Sequence, residues 1–275
     1  MKKVATLILN RNLPEVTDRL YDHIEKYDGD DTDIFVIEAG SDKDNLSSHT
    51  TWYADWPEAR KEGLRYARGM NYGLSMLYKE GRFYNYDSFF LLTNDTELEE
   101  KKTIKVLADI FNNHKRLGIL SPCSQRWGEK SLLKDLQKTK YFWFIHNNSY
   151  FLRREFIESI FNLDKPDHIN FLFDGNNFRG YCSESELIAK AYANDWAAAI
   201  TSEVWSSENE SYLLQRAKKI KTESYQKNLQ LYIKEGKKWM LNKYGFNSKW
   251  SMNLYSKSFY DAFFEFHPEF SNYKI

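Results

Sequence analysis

The chain has 275 residues, 42% hydrophobic and 28% charged, which suits one large domain or a domain with an appendage and excludes a disordered polymer. With 39 basic against 39 acidic residues the net charge is zero, so no global field draws it to nucleic acid, which is not expected as a partner. Two cysteines far apart, Cys123 and Cys182, make neither a disulfide framework nor a zinc spacing, and a reducing cytoplasm is the expected location.

The first residues, MKKVATLILNRN, hold a short apolar run that Asn10 and Arg11 end too early for a secretion signal. Val4–Leu9 predicts a buried strand. Pro14 opens a helix, with Asn12 as a capping candidate, and Val16, Leu20, Ile24 and Tyr27 follow at helical spacing. Ile34–Ala39 predicts a second strand that runs into Gly40, Ser41 and Asp42, so the opening reads as a parallel βαβ unit. Ala59–Lys79 predicts a helical stretch interrupted by Gly69 and Gly73, and Ser88–Leu92 a third strand running into Thr93, Asn94, Asp95, Thr96 and Glu97. A helix over Glu99–Arg116 and a strand from Gly118 continue the alternation.

Later segments are less regular. Tyr141–Leu152 alternates like a strand, Arg153–Phe161 reads as a helix, Leu163–Tyr181 as a Gly/Asn-rich loop, and Glu184–Asn194 as a helix. From about Ser207 the chain is helical, basic and aromatic, so the expected division is 1–206 and 207–275, with the helices packed on the main domain. No stretch reaches the roughly 18 apolar residues of a membrane span, leaving peripheral contact as the only expected membrane mode. Alternating strands and helices predict an open α/β sheet covered on both faces, where ligands bind beyond the carboxyl ends of the strands.

Polar clusters at those ends are the candidate site. Asp95, delivered by a buried strand among oxygen-bearing neighbours, meets the minimal need of a hard divalent cation on a diphosphate, which takes one or two protein carboxylates; an Asx turn closing the strand is the plainer reading. In Arg68-Gly69-Met70-Asn71-Tyr72-Gly73, the glycines permit close backbone approach to a ligand, Arg68 offers a phosphate-binding fork and Asn71 a hydrogen-bonding amide. Glu184 begins a predicted helix and, beside an acceptor hydroxyl, suits a general base; Ser183 with Glu186 also fits a capping box.

Read in order, VIEAGSDKD (36–44), RGMNYGL (68–74), FLLTNDTEL (90–98), SYFLRREFIESIFNLD (149–164) and SESELIAKAYANDW (183–196) resemble the segments of family 2 glycosyltransferases and their rhamnosyl- and capsule-type relatives. The resemblance covers roughly residues 3–205. It implies a GT-A fold, a Rossmann-like, mixed and mostly parallel sheet with helices on both faces, here with a helical C-terminal extension. It further implies an inverting transferase that moves a sugar from a nucleoside-diphosphate sugar to a hydroxyl of a glycan or lipid-linked acceptor in polysaccharide or glycoconjugate assembly. By position, Glu38 and Asp42 match the base-recognising acid and its turn, Arg68, Asn71 and Asn94 the donor-binding segments, Asp95 the ligand of Mn2+ or Mg2+, and Glu184 the acceptor base.

The chain departs from the pattern at several points. Glu38 and Glu184 stand where Asp is usual, Thr93 where Asn or Asp is usual, Lys190 for Arg, and SEVWSS brings Trp205 where a late metal-binding histidine often stands. Those departures imply weakened metal binding and keep open a non-catalytic nucleotide-sugar or glycan-binding scaffold. A sugar nucleotidyltransferase ranks lower, since Asn10–Pro14 lacks its glycine-rich loop. His146, Asp174 and Arg179 are further acceptor-side candidates.

Overall fold

The structure, a computed structural model, describes residues 4–124, 131–133, 138–145, 149–161, 166–209, 211 and 218–275. His146 lies outside the described residues. The chain opens with β1 (Val4–Asn10), α1 (Pro14–Asp28), β2 (Thr32–Glu38) and β3 (Thr50–Tyr53), followed by α2 (Pro57–Glu62) and α3 (Arg65–Lys79). Next come β4 (Ser88–Thr93), β5 (Thr96–Leu98), α4 (Thr103–Asn113), β6 (Leu117–Ser124), β7 (Thr139–Tyr141), β8 (Tyr150–Arg153) and α5 (Arg154–Ile160). Helix α6 (Ser183–Ala193) leads into β9 (Ala197–Glu208), and α7 (Tyr225–Tyr244) and α8 (Lys249–Phe266) close the chain.

The strands form one sheet in the order β3-β2-β1-β4-β8-β6-β9-β5, with β7 on β9. Its first four strands are mutually parallel, β8 runs against β4 and β6, and β6 and β9 are parallel. Helices lie on both faces. The apolar runs forecast as strands are buried at Leu7, Ile8, Val36, Ile37 and Phe89–Leu92 and partly buried at Leu9 and Ile34, as central parallel strands require.

Gly69 and Gly73 do not interrupt α3. A Cβ at Gly69 would meet Leu9 Cδ1 at 2.3 Å and one at Gly73 would meet Ile37 Cδ1 at 2.3 Å. The glycines admit the helix to the protein's own sheet, and no ligand is needed to explain them. The interruption in the forecast helical stretch over 59–79 falls instead at Gly63 and Leu64: Gly63 has φ +72° and Arg65 φ +54°. Arg11 occupies the break, donating through Nη1 to the Ala59 carbonyl at 2.9 Å and the Ala39 carbonyl at 2.8 Å. Its Nη2 donates to the Arg60 and Lys61 carbonyls at 3.2 and 3.4 Å, so a side chain satisfies helix-end carbonyls that a continuous helix would have bonded internally.

Asn12 is not the cap of α1. It has φ +57°, its Oδ1 accepts from the Asp42 amide at 2.7 Å, and its Nδ2 donates to the Lys219 carbonyl at 2.8 Å. Nor do Ser183 and Glu186 form a capping box: Cys182 is the N-cap, without a side-chain bond, and Glu186 is buried against Tyr244 and Lys243.

Asp28, 2% exposed, caps α4 from the end of α1 by accepting from the amides of Thr103, Ile104 and Lys105 at 3.1, 3.0 and 3.3 Å. Burial raises its pKa to about 6, and the three amides only partly oppose that rise. The folded state therefore holds a proton here that the unfolded state releases, so this residue's contribution to stability declines as pH rises from about 4 through about 6. The difference in thermal midpoint between wild type and Asp28→Asn, scanned from pH 4 to 7, is expected to change across that window and flatten above it.

The C-terminal helices pack on the main body as expected. Met252, Ser256, Tyr260 and Phe263 of α8 are buried, and a Cβ at Gly236 of α7 would meet Tyr181 Cβ at 2.1 Å. Among the described residues no helix is long and apolar enough to cross a membrane, and Cys123 and Cys182 are buried free thiols.

Candidate active site

Strands β1 and β4 run parallel with Leu9 beside Thr93, so their carboxyl ends release Asn10–Arg11 and Asn94–Asp95 at one edge. Strand β9 brings a second carboxylate there, since Thr96 pairs with Glu208 and the Asn209 amide donates to the Asp95 carbonyl at 2.9 Å. Between them is a hollow of about 220 Å³ whose walls include Arg11, Arg65, Tyr66, Asn94, Asp95 and Glu208. Burial, then repulsion by Arg65, lowers the Arg11 pKa; burial, then repulsion by Arg179, lowers that of Arg65 against the opposing charge of its partner Glu223. The hollow thus sets two carboxylates beside two crowded guanidinium groups, a set suited to a cation-bound, multiply charged anion.

The two carboxylates are hard oxygen donors, as Mg2+ and Mn2+ require. Among the described residues no group of three or more His, Cys, Asp or Glu could hold a metal, so a cation here would take its remaining ligands from a diphosphate and water. The residues present fit that group.

The other forecast residues stand apart from this hollow. Glu38 is fully buried and accepts from Asn10 Nδ2 at 3.0 and 2.9 Å, Ser41 Oγ at 2.5 Å, the Ser47 amide at 2.8 Å and Thr50 Oγ1 at 3.1 Å. Asn10 in turn accepts from Asn94 Nδ2 at 3.0 Å. Glu38 therefore acts on the hollow through Asn10 and Asn94. Asp42 is paired with Lys221 at 2.5 Å. Asn71 pins the 168–175 loop, donating to the Phe173 carbonyl at 2.8 Å and accepting from its amide at 2.9 Å. Arg68 donates through Nε to the Gly175 carbonyl at 2.7 Å and faces a second hollow beyond Phe178.

Glu184 is not among the residues that line the first hollow. Burial raises its pKa, which Lys249 at 3.9 Å opposes. The phenol of Tyr66, which lines the hollow, is raised well above its ordinary pKa by burial and then by the charges of Glu208 and Glu184, so Glu184 is near enough to act on a residue of the hollow's wall.

Glu208, Arg11, Arg65 and Tyr66 were not singled out in the sequence. Glu208 carries the same signal as Asp95, a carboxylate ending a strand, but a 12-residue strand over Ala197–Glu208 is not legible in AAAITSEVWSSE. Trp205, the residue noted there, pairs with Cys123 and donates its amide to Glu99 Oε2.

A mixed sheet of this topology with a charged hollow at the carboxyl ends of its parallel strands is the GT-A glycosyltransferase fold. The comparisons agree at that level. The mannosyltransferase PcManGT from Pyrobaculum calidifontis, solved with GDP-Man and Mn2+, superposes with a TM-score of 0.52 at 12% identity, covering 94% of this chain and 74% of that one. TarS 1–349 from S. aureus, solved with UDP, gives 0.52 at 11% identity over 86% of this chain and 72% of that one. GalNAc-T7, solved with UDP, GalNAc and Mn2+, gives 0.51 at 12% over 76% of this chain and 44% of that one. No protein-family model matches the sequence, and no curated protein sequence matches it.

Proposed function

We infer that the protein is an inverting glycosyltransferase that moves a sugar from a nucleoside-diphosphate sugar to an acceptor hydroxyl, in polysaccharide or glycoconjugate assembly on the cytoplasmic side. The observation that carries this reading is the convergence of Asp95, Glu208, Arg11 and Arg65 on one hollow at the carboxyl ends of β1 and β4. The three superposed enzymes were solved with nucleotides or nucleotide sugars.

In this reading Asp95 and Glu208 hold Mn2+ or Mg2+, which when bound neutralises charge on the departing diphosphate. Arg11 and Arg65 supply further positive charge near the departing group, Arg65 being paired with Glu223 at 3.0 Å before the donor arrives. Asn94, whose Nδ2 is committed to Asn10 Oδ1 and to Thr17 Oγ1 at 3.1 Å, has its Oδ1 left to accept from a donor hydroxyl. Glu184 takes the proton of the attacking hydroxyl; a carboxylate whose pKa is raised by burial is a stronger base than an exposed one. Transfer by direct displacement inverts the sugar's anomeric carbon.

The hollow is smaller than the about 300–1,000 Å³ usual for small-molecule sites, and part of its wall is Ile220 and Thr222, held by Arg11 on the Ile220 carbonyl at 2.9 Å and Arg65 on Thr222 Oγ1 at 3.0 Å. In this reading, seating a whole donor requires this wall to move. Calorimetric titration with UDP, GDP, dTDP and CMP, with Mn2+ and with EDTA, tests the reading. One nucleotide is expected to bind with Mn2+ and to bind at least about tenfold more weakly without it; silence from all four would exclude this function.

A further inference from the structure

Beyond Phe178 lies a hollow of about 650 Å³, bounded by Arg68 of α3, the loop at Asp174 and Asn176, and Lys238, Trp239 and Asn242 of α7. It adjoins the first hollow: Glu62 lines both. Arg65 and Arg68, one helical turn apart, lie within 5.7 and 4.6 Å of the Phe178 ring, Arg65 lining the first hollow and Arg68 the second. The two hollows therefore form consecutive stretches of one crevice.

The charges in the second hollow divide into a committed and an uncommitted set, with Glu62 at the junction of the two hollows acting on Arg68 from beyond ion-pair distance. Asp174 accepts from Trp239 Nε1 at 3.0 Å and Lys243 Nζ at 2.6 Å. Burial works against its ionised form, yet these partners hold its pKa down at about 2, so it is ionised and already neutralised by Lys243. Glu235 is paired with Arg179 at 3.1 Å. Arg68 is different. Its Nε is anchored on Gly175 and its plane lies on Phe178, and among the described residues its two terminal nitrogens have no hydrogen-bond partner. Lys238 is exposed and, among the described residues, has no acidic partner within 4.0 Å. Asn242 contributes an exposed amide. An arginine fixed at one edge with its fork open is prepared for a planar oxyanion, and a lysine and an amide beside it suit a charged, hydroxylated ligand.

We propose that this second hollow is the acceptor subsite and that it takes an acceptor bearing an anionic group, a phosphate or a carboxylate, on a sugar or polyol, with Arg68 and Lys238 reading the charge. The proposal rests on the transferase reading of the first hollow. It assigns the C-terminal helix α7 a part in acceptor choice.

The test titrates the full chain, saturated with the nucleotide that binds and Mn2+ so that the first hollow is filled, with three probes: glucose 6-phosphate, glucuronate and glucose. At least one anionic probe is expected to bind about tenfold or more tightly than glucose, and which one does so separates a phosphate-bearing from a carboxylate-bearing acceptor. Lys238→Glu, an exposed change that leaves the packing alone, is expected to weaken that probe about tenfold or more and to leave nucleotide affinity unchanged. Arg68→Lys keeps the charge but loses the fork and is expected to weaken it by a smaller factor. Equal affinity for glucose and both anions, no binding of any probe, or full anion affinity in Lys238→Glu would overturn the proposal. If no nucleotide binds, the transferase reading fails by itself, and the same titrations of wild type and Lys238→Glu without nucleotide still decide whether the second hollow selects anions.

Discussion

Asp95→Ala is expected to cut sugar transfer, or donor hydrolysis where no acceptor is supplied, by about 100- to 1,000-fold, the usual loss when one preorganised electrostatic group facing the leaving group is removed. The same substitution should abolish the Mn2+-dependent part of nucleotide affinity, because it halves the carboxylate set at the hollow. Glu208→Ala is expected to behave alike, and the double variant to lose little more than either single one, since both act through one bound cation. The assay is the rate of nucleoside-diphosphate release at saturating donor, with the thermal midpoint of each variant as a folding control. If Asp95→Ala kept full activity while Glu208→Ala lost it, the cation would have to be held elsewhere. If both kept nucleotide binding and turnover, the non-catalytic scaffold would become the better reading.

The largest stability effect is expected at Glu38. Truncation to alanine removes the acceptor for Asn10 Nδ2, Ser41 Oγ, the Ser47 amide and Thr50 Oγ1 within a fully buried pocket. A buried donor left without a partner costs roughly 1–3 kcal/mol. Some of these groups find substitutes, Thr50 Oγ1 through the Ser47 carbonyl at 2.7 Å, so a total of about 3–5 kcal/mol is expected. At about 2–4 °C per kcal/mol for a domain of this size, the thermal midpoint should fall by about 6–20 °C. Asp42→Ala, four residues on, breaks only a half-exposed pair with Lys221 and should change stability by no more than about 1 kcal/mol. Differential scanning calorimetry of the two variants separates a structural Glu38 from one that meets only ligand: equal midpoints would contradict the hydrogen-bond account.

Glu38 also illustrates how far sequence reasoning reaches. Short β-branched runs such as VATLIL and SFFLL declare buried parallel strands because both faces must be apolar, and the alternation with helices then fixes the sheet. Asp95 could be found because the end of such a strand is a known address. Glu38 has the same address, yet its carboxylate turns inward to tie β2 to β1 and the 41–50 loop, and nothing in a one-dimensional pattern says which way a side chain turns. Arg11 escaped notice for a related reason. Its use as a helix-end cap depends on the break at Gly63, 52 positions later in the chain. Arg65 and Arg68, one turn apart, were equally legible as cations, but only the placement of Phe178 between the hollows assigns them to different ends of the crevice. The later half was read least well because its long strand, β9, mixes alanines, serines and glutamates without a clean period of two.

The central claim is that Asp95 and Glu208 jointly hold a divalent cation on a nucleoside diphosphate. Its most direct test is the anomalous difference map of crystals grown with Mn2+ and the nucleotide selected by titration. A manganese peak in contact with both carboxylates and with the diphosphate oxygens is the expected result. A diphosphate seated away from Asp95, or a metal peak bound by neither residue, would contradict it.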